Sequence, residues 1–252
     1  MKLKITLWAP VAYVLVALSA CDDSETVPAT PELRASKMTT TFTNGQQERI
    51  LHYDVAGKVT SITSRSTYNN VTEVSEQALE YVNGRLSRLN VSEEQQWYVD
   101  YFYDDAGKLA GVNLFIGDAL TEQTLYEYDG NKVIARIAYQ DVDGEGPLDP
   151  VFKAEYTYAG NNLATLDQYG HNGTDYVFIS TLAYSDFDNK INASDAFLND
   201  VYMPNVQLFE NNPQSVSVTN PHGHTTTQAY TFEYNERGYA VKQTAVGYKT
   251  FV

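Results

Sequence analysis

Cys21 is the residue whose setting points most clearly to a defined chemistry, because it is the only cysteine in 252 residues and follows Leu18-Ser19-Ala20. Small residues before a cysteine suit a peptidase that cuts immediately ahead of it. The thiol of Cys21 would then carry a diacylglyceryl group, and its freed amine a further acyl chain such as palmitate. The pattern predicts a lipobox, with residues 1–20 as a lipoprotein signal peptide and Cys21 as the lipidation site.

The residues before Cys21 fit a lipobox better than an anchor helix or an ordinary secretory signal. Lys2 and Lys4 give a positive start, and the apolar run from Ile5 to Leu18 is shorter than the roughly 20 residues of a membrane span. Each CH₂ group buried in lipid contributes about 0.8 kcal/mol. Several acyl chains would therefore hold the protein on a membrane.

Other side chains that could bind a metal ion form weak patterns. Asp141 and Asp143, and again Asp186 and Asp188, alternate with other residues as the acids of calcium loops do, but neither pair has a glutamate at the required later position. His222-Gly223-His224 supplies two ligands, which fall short of a zinc site. We predict no metal and no cofactor, and keep the four aspartates as weak metal candidates.

The sequence contains no motif of an activated nucleophile, a zinc protease or a phosphate-binding loop. Gly57-Lys58 and Gly107-Lys108 lack the flanking residues of a phosphate loop and are typical of hairpin turns. We predict no catalytic residues and favour a non-enzymatic binding or scaffold module for a glycan, a peptide or an outer-membrane partner. Two carboxylates facing a cleft leave no linear motif, so a glycan-directed surface hydrolase with an acidic cleft remains the alternative.

Net charge and composition limit the classes of partner that this chain can bind. The chain carries a net charge of −15, which becomes −17 once Lys2 and Lys4 are removed with the signal peptide. Such a balance excludes nucleic acid as a partner and leaves the acyl chains as the means of membrane attachment. Among the 20 tyrosines, four that lie outside the repeat described next are ligand-binding candidates, since their rings can stack on sugars. These are Tyr68, Tyr98, Tyr169 and Tyr202.

The chain divides into a short linker and a repetitive body. Residues 21–36 comprise the acylated cysteine and a flexible tether rich in Pro, Thr, Ser and acids, and residues 37–252 form a β domain of YD-like repeats. Each repeat has a tyrosine followed by turn-forming Asp, Asn or Gly, as in Tyr53-Asp54-Val55-Ala56-Gly57-Lys58-Val59. The seven anchor tyrosines are Tyr53, Tyr81, Tyr103, Tyr128, Tyr158, Tyr184 and Tyr234.

Each repeat predicts one β-hairpin. A large apolar residue lies two positions before every anchor, which places both side chains on one face of a strand. The second strands carry apolar residues three apart, such as Val59 and Ile62, which indicates either a bulge after the turn or a sheet that is apolar on both faces. The last two anchors are 50 residues apart, which indicates a decayed copy between them.

These hairpins in series predict an all-β fold of about 14–16 antiparallel strands. Because a meander of this length leaves two long edges, we expect a strongly curled or closed, barrel-like sheet with the aromatic pairs inside. The repeat breaks down over residues 195–212, where we expect an inserted loop or a short helix that plugs one end of the sheet.

The repeats resemble those of known families. Tyr53–Val59 and Tyr103–Leu109 resemble the tyrosine–aspartate (YD) repeats of Rhs-type shell proteins, although this chain has far fewer repeats and no cargo domain. With the lipobox and Asn211-Asn212-Pro213, the chain is similar to a Bacteroidetes surface-lipoprotein family of unknown function with a porin-like, barrel-like fold. Asp22-Asp23 resembles an acidic surface-export signal. The resemblance implies a lipid-anchored outer-membrane protein facing the cell exterior, and transfers no catalytic residues.

Overall fold

Strands rich in Thr, Val, Tyr and Leu alternate with Asn, Asp and Gly turns throughout the part of the chain that the structure describes. This computed structural model describes residues 37–42, 45–92, 94, 96–142, 144, 146–192, 203 and 206–251. Cys21, the signal peptide, the tether, Asp143 and Tyr202 lie outside the described residues. No helix in those ranges is long and apolar enough to cross a membrane.

Fifteen strands make up the regular structure of the described residues. They are β1 (Lys37–Phe42), β2 (Gly45–Tyr53), β3 (Val59–Tyr68), β4 (Val71–Val82), β5 (Arg85–Ser92), β6 (Trp97–Tyr103), β7 (Leu109–Ile116), β8 (Ala119–Asp129), β9 (Lys132–Gln140), β10 (Asp149–Ala159), β11 (Asn162–His171), β12 (Tyr176–Phe187), β13 (Pro213–Thr219), β14 (Thr225–Tyr234) and β15 (Ala240–Phe251).

All fifteen strands form one antiparallel sheet in which every strand pairs with its neighbours in sequence. The predicted all-β series of hairpins and the predicted number of strands are therefore confirmed. Each anchor tyrosine except Tyr184 directly precedes a hairpin turn. We call the side of the sheet where these turns lie the turn edge; it includes residues 54–58, 83–84, 104–108, 130–131 and 160–161.

The prediction of a strongly curled or closed, barrel-like sheet is wrong. In the described residues β1 pairs only with β2 and β15 only with β14, so the sheet is open and both strands are edges. The prediction assumed that so long a meander could not stay open with two exposed edges. Instead, burial is achieved along a stripe on one face, and closure is not needed for it.

The predicted bulge accounts for the apolar residues spaced three apart, and it is confirmed. In the first hairpin Tyr53 pairs with Val59 while His52 pairs with Ser61, so Thr60 is the extra residue. Val59 and Ile62 consequently point to the same face, where they are 3% and 0% exposed. The same shift precedes the anchors Tyr81, Tyr103, Tyr128, Tyr158 and Tyr234.

The apolar stripe lies on what we call the core face, which carries the aliphatic side chains of the first three units. Leu51, Ile62, Leu89, Val99 and Val112 are all buried there. At about 25 cal/mol for each Å² of apolar surface removed from water, a buried Leu or Ile contributes roughly 1.5–3 kcal/mol. The stripe follows the turn edge because the bulge brings two apolar residues of each second strand to this face.

The 50-residue gap between the last two anchors does not hold a decayed copy. The sixth unit has its two strands, β12 and β13, but residues 188–212 are inserted where the other units have a short turn. The described part of this insertion contains bends and no helix, as expected for a loop. Leu163 N–H donates to Leu208 O at 2.9 Å, and Phe209 packs against Tyr184 with ring centroids 4.9 Å apart.

Candidate functional site

The anchor tyrosines form a structural ladder along the turn edge. Three of their hydroxyls donate to a backbone carbonyl of the preceding unit: Tyr81 to Val59 O at 2.8 Å, Tyr103 to Leu86 O at 2.8 Å and Tyr128 to Leu109 O at 2.9 Å. Burial raises the pKa of Tyr128 to about 12, which keeps its phenol protonated as a donor. These tyrosines therefore link units and are not free to bind a ligand.

A row of cations completes the ladder. Lys58 lies over the ring of Tyr81 at 5.3 Å, Arg85 over Tyr103 at 5.5 Å, Lys108 over Tyr128 at 5.5 Å and Lys132 over Tyr158 at 5.2 Å. In each pair the cation comes from the unit before the tyrosine. The Nζ atoms of Lys108 and Lys132 also donate to the carbonyls of Gly130 and Gly160. The Gly-Lys pairs are thus turn residues that bridge neighbouring hairpins.

The opposite side of the sheet, which we call the polar face, carries two stacked aromatic rings beside an arginine–aspartate pair. On three adjacent strands, Phe115 stacks on Tyr98 with centroids 5.0 Å apart and an interplanar angle of 13°, and the Arg88 guanidinium lies 3.9 Å from the Tyr98 centroid. Arg88 also donates to both oxygens of Asp100 at 2.6 and 2.8 Å, which raises its pKa. The guanidinium is therefore held in one orientation.

Two shallow cavities lie on either side of Arg88. The larger, of about 410 Å³, lies at the strand ends and is lined by Arg88, Asn90, Ser92, Gln96, Trp97, Tyr98, Gly117 and Asp118. The smaller, of about 360 Å³, is lined by Glu80, Ser87, Arg88, Asp100 and Tyr101. Phe115 and Arg88 both pack against the Tyr98 ring, which limits its access to a ligand. Trp97 alternates with Tyr98 along β6, so it points to the core-face side and borders the larger cavity at the end of the strand, where it is 37% exposed.

A second aromatic group lies on the polar face around Tyr169. Its hydroxyl donates to Glu155 Oε2 at 3.3 Å, and Lys153 pairs with Glu155 at 2.6 Å. Phe178 meets the Tyr169 ring edge-on at 5.9 Å. Tyr98 on β6 and Tyr169 on β11 are five strand spacings apart, about 24 Å, so the structure does not bring these two candidates together.

The other predicted site residues stay apart from these groups. Tyr68 is 53% exposed beside the turn formed by Asn69 and Asn70, both at positive φ. Tyr202 cannot be placed because it lies outside the described residues. Sequence reasoning missed Arg88, Asp100 and Trp97, although alternation along β5 and β6 opposite to the core residues would have placed Arg88 and Asp100 on one face.

The weak metal candidates are used in hydrogen bonds within the protein. Asp141 Oδ1 accepts from Gly144 N at 2.8 Å, and Asp188 accepts from the backbone of Lys190 and Asn212. Asn220 Oδ1 accepts from the backbone of His222 and His224 in a hairpin turn. In the described ranges no three His, Cys, Asp or Glu side chains are grouped to hold a metal ion.

Three carboxyl groups have lowered pKa values, which does not favour the hydrolase alternative for them. A hydrogen bond from Lys37 lowers the pKa of Glu48, and one from Lys153 lowers that of Glu155. Burial alone would raise the pKa of Asp188, but hydrogen bonds from Tyr234, Lys190 and Asn212 outweigh it and the pKa is lowered. A general acid of a glycosidase needs a raised pKa, which is the opposite direction.

Known proteins resemble this chain in their fold. No family model and no curated protein matches this chain. A crystal structure of a porin-like protein from Bacteroides uniformis ATCC 8492 matches with 14% identity and a TM-score of 0.57, over 85% of this chain and 91% of that one. One from Bacteroides vulgatus ATCC 8482 matches with 14% identity and a TM-score of 0.56, over 85% and 93%. The resemblance to porin-like proteins is thus confirmed in fold, and membership of a YD-repeat family remains a prediction.

Proposed function

We propose that this chain is a lipid-anchored, non-enzymatic binding protein of the outer membrane that faces the cell exterior and binds a glycan in the larger cavity, at the strand ends beside Arg88. The observation that carries the proposal is the larger cavity beside Arg88, with its exposed Trp97. The lipobox supports the anchor. The location is supported by the acidic residues after Cys21 and by the two solved structures with this fold, which are described as porin-like proteins.

The chemistry of the larger cavity suits a sugar. The Trp97 indole offers an apolar ring with an N–H donor, and the planar amides of Asn90 and Gln96 can hydrogen-bond neighbouring hydroxyl groups. Arg88 adds a cation whose position is fixed before any ligand arrives, because Asp100 and Tyr98 already hold it. Preorganisation of this kind lowers the entropic cost of binding a polar ligand in a shallow cavity.

A glycan array probed with the purified chain would test this proposal. Trp97→Ala should weaken binding by about tenfold, equivalent to ~1.4 kcal/mol, because it removes the exposed ring. Val74→Ala is the matched control, since Val74 is 58% exposed on β4 and its loss should leave affinity unchanged.

Two results would contradict the binding proposal. One is the absence of binding to any glycan, which would leave a scaffold role. The other is turnover of a bound glycan that disappears when Glu80 or Asp100, the carboxylates lining the smaller cavity, is changed to its amide. That outcome would favour the hydrolase instead.

A further inference from the structure

One position on the core face departs from the pattern of its repeat. In the first five units, the second strand has a buried residue at or next to its start, and the residue three positions later lies on the core face. It is Ile62, Leu89 and Val112 in the first three units and Leu166 in the fifth. In the fourth unit, where Val133 is the first buried residue, the position holds Arg136. A permanent positive charge therefore replaces an aliphatic side chain within the apolar stripe.

Arg136 is packed without a carboxylate partner. It pairs across the strands with Tyr126 on β8 and Ala154 on β10, and its guanidinium lies 5.1 Å from the centroid of the Phe152 ring. Its Nε atom is enclosed and makes no hydrogen bond. No acid among the described residues forms an ion pair with it, whereas Arg88 and Lys153 pair with Asp100 and Glu155.

The surroundings of Arg136 are those of a site that accepts negative charge. Tyr126 and Tyr156 lie on the core face on either side of it, and burial raises the pKa of both phenols while the charge of Arg136 opposes that rise. Both are therefore neutral O–H donors at pH 7. The small side chain of Ala154, which is fully buried, takes up little space beside the guanidinium.

A buried polar nitrogen without a partner costs about 1–3 kcal/mol, and more when the group is charged. A chain with 32 acidic residues could supply a carboxylate at this place, yet the described structure has none there. A carboxylate supplied by a ligand would balance this charge.

We propose that Arg136 binds the carboxylate of a ligand on the core face, with Tyr126 and Tyr156 as additional donors. The planar guanidinium matches two carboxylate oxygens in a bidentate arrangement, which favours a carboxylate over a single-point anion such as chloride. This site lies on the opposite side of the sheet from the cavity beside Arg88, so it does not depend on the proposed glycan site.

Thermal unfolding of the full chain in detergent would test the carboxylate site with sodium galacturonate as the probe. Against sodium chloride at equal ionic strength, saturating galacturonate should raise the Tm by about 2–4 °C. Arg136→Leu restores the aliphatic pattern of the repeat, so it should fold and show no rise. Arg65→Leu removes one charge from the opposite face and should respond like the wild type.

Isotope-edited NMR of the Arg136 side chain gives a second readout, since its Nε–H resonance should shift with galacturonate. Equal stabilisation of Arg136→Leu and the wild type would overturn the proposal. So would an unchanged Tm and an unchanged Nε–H resonance in the wild type. Stabilisation by inorganic phosphate alone would also overturn it, because it would identify a phosphate site instead of a carboxylate site.

Discussion

Asp188 joins three separate segments of the chain at the start of the insertion. Its Oδ1 atom accepts from Lys190 N at 2.9 Å and Asn212 N at 3.1 Å, and its Oδ2 atom accepts from Asn212 Nδ2 at 3.1 Å and from the Tyr234 hydroxyl. Asn212 is itself 1% exposed. A carboxylate with this many donors fixes both ends of the inserted loop and connects them to β14.

Asp188→Asn should destabilise the protein by roughly 1–3 kcal/mol, because an amide cannot accept all of these hydrogen bonds. The pKa of Asp188 lies below its ordinary 3.8 in the folded state. Its stabilising effect is therefore complete above the unfolded-state pKa and is lost as pH falls through the lowered folded-state pKa. Urea denaturation between pH 5 and pH 2 should show a shallower pH dependence for Asp188→Asn than for the wild type.

Asp186→Asn is the control for this measurement, since Asp186 is exposed and accepts only a long bond from Ser185 at 3.3 Å. Its stability should follow the wild-type pH dependence. A pH profile of Asp188→Asn that is parallel to that of the wild type would show that another carboxyl group is responsible for the acid sensitivity.

For the candidate site, the sequence predicts individual residues but not the contacts that they make. Tyr98 could be selected because it lies outside the repeat, but no pattern indicates that Phe115 and Arg88 cover both faces of its ring. Those contacts depend on which residues face each other across strands, and hence on a register that the bulges change. Exposure of Trp97 is likewise a property of the assembled sheet.

The hairpin unit is the element that the sequence predicts well. Its determinants are local: the spacing of two before the anchor, the turn residues after it and the spacing of three in the second strand. Gly107 shows why the turn is so restricted, since its φ is +82° and a Cβ atom there would lie 2.6 Å from Arg85 Nη2. The inserted loop was misjudged as a decayed copy because residues 188–212 lengthen the gap between Tyr184 and Tyr234 by about the length of one unit.

Tyr103→Phe tests whether the ladder stabilises neighbouring units. Removing the hydroxyl leaves the ring under Arg85 but eliminates the 2.8 Å hydrogen bond to Leu86 O. We expect a loss of roughly 0.5–1.5 kcal/mol in the free energy of unfolding, measured in urea. Tyr139→Phe should have almost no effect, as the Tyr139 hydroxyl makes no hydrogen bond within the described residues. Equal effects of both changes would argue against the ladder.

At the scale of the whole molecule, the sequence predicts the order of the strands but not what happens at the two ends of the sheet. Sequential pairing follows from short turns, which make neighbours in sequence neighbours in the sheet. Closure would require β1 and β15 to meet, and no local pattern in residues 37–42 or 240–251 specifies whether they do. The barrel-like prediction failed for this reason.

The proposed membrane attachment also concerns the whole chain, and it would depend on Cys21. Cys21→Ser should abolish lipidation, since no thiol remains to take the diacylglyceryl group. Metabolic labelling with a clickable palmitate analogue should mark the wild type and leave the variant unlabelled. Labelling of the serine variant at the wild-type level would show that the lipobox prediction is wrong.

The ladder at the turn edge has a consequence for how such chains change length in evolution. Each of the first three units supplies a cation and a carbonyl to the anchor tyrosine of the next unit, as Arg85 and Leu86 do for Tyr103. Duplication or in-frame deletion of one whole hairpin therefore leaves every donor facing an acceptor of the same kind. Gene variants differing by multiples of two strands should fold without compensating substitutions elsewhere, whereas loss of a single strand would reverse the direction of all later strands and place their anchor tyrosines at the opposite edge of the sheet.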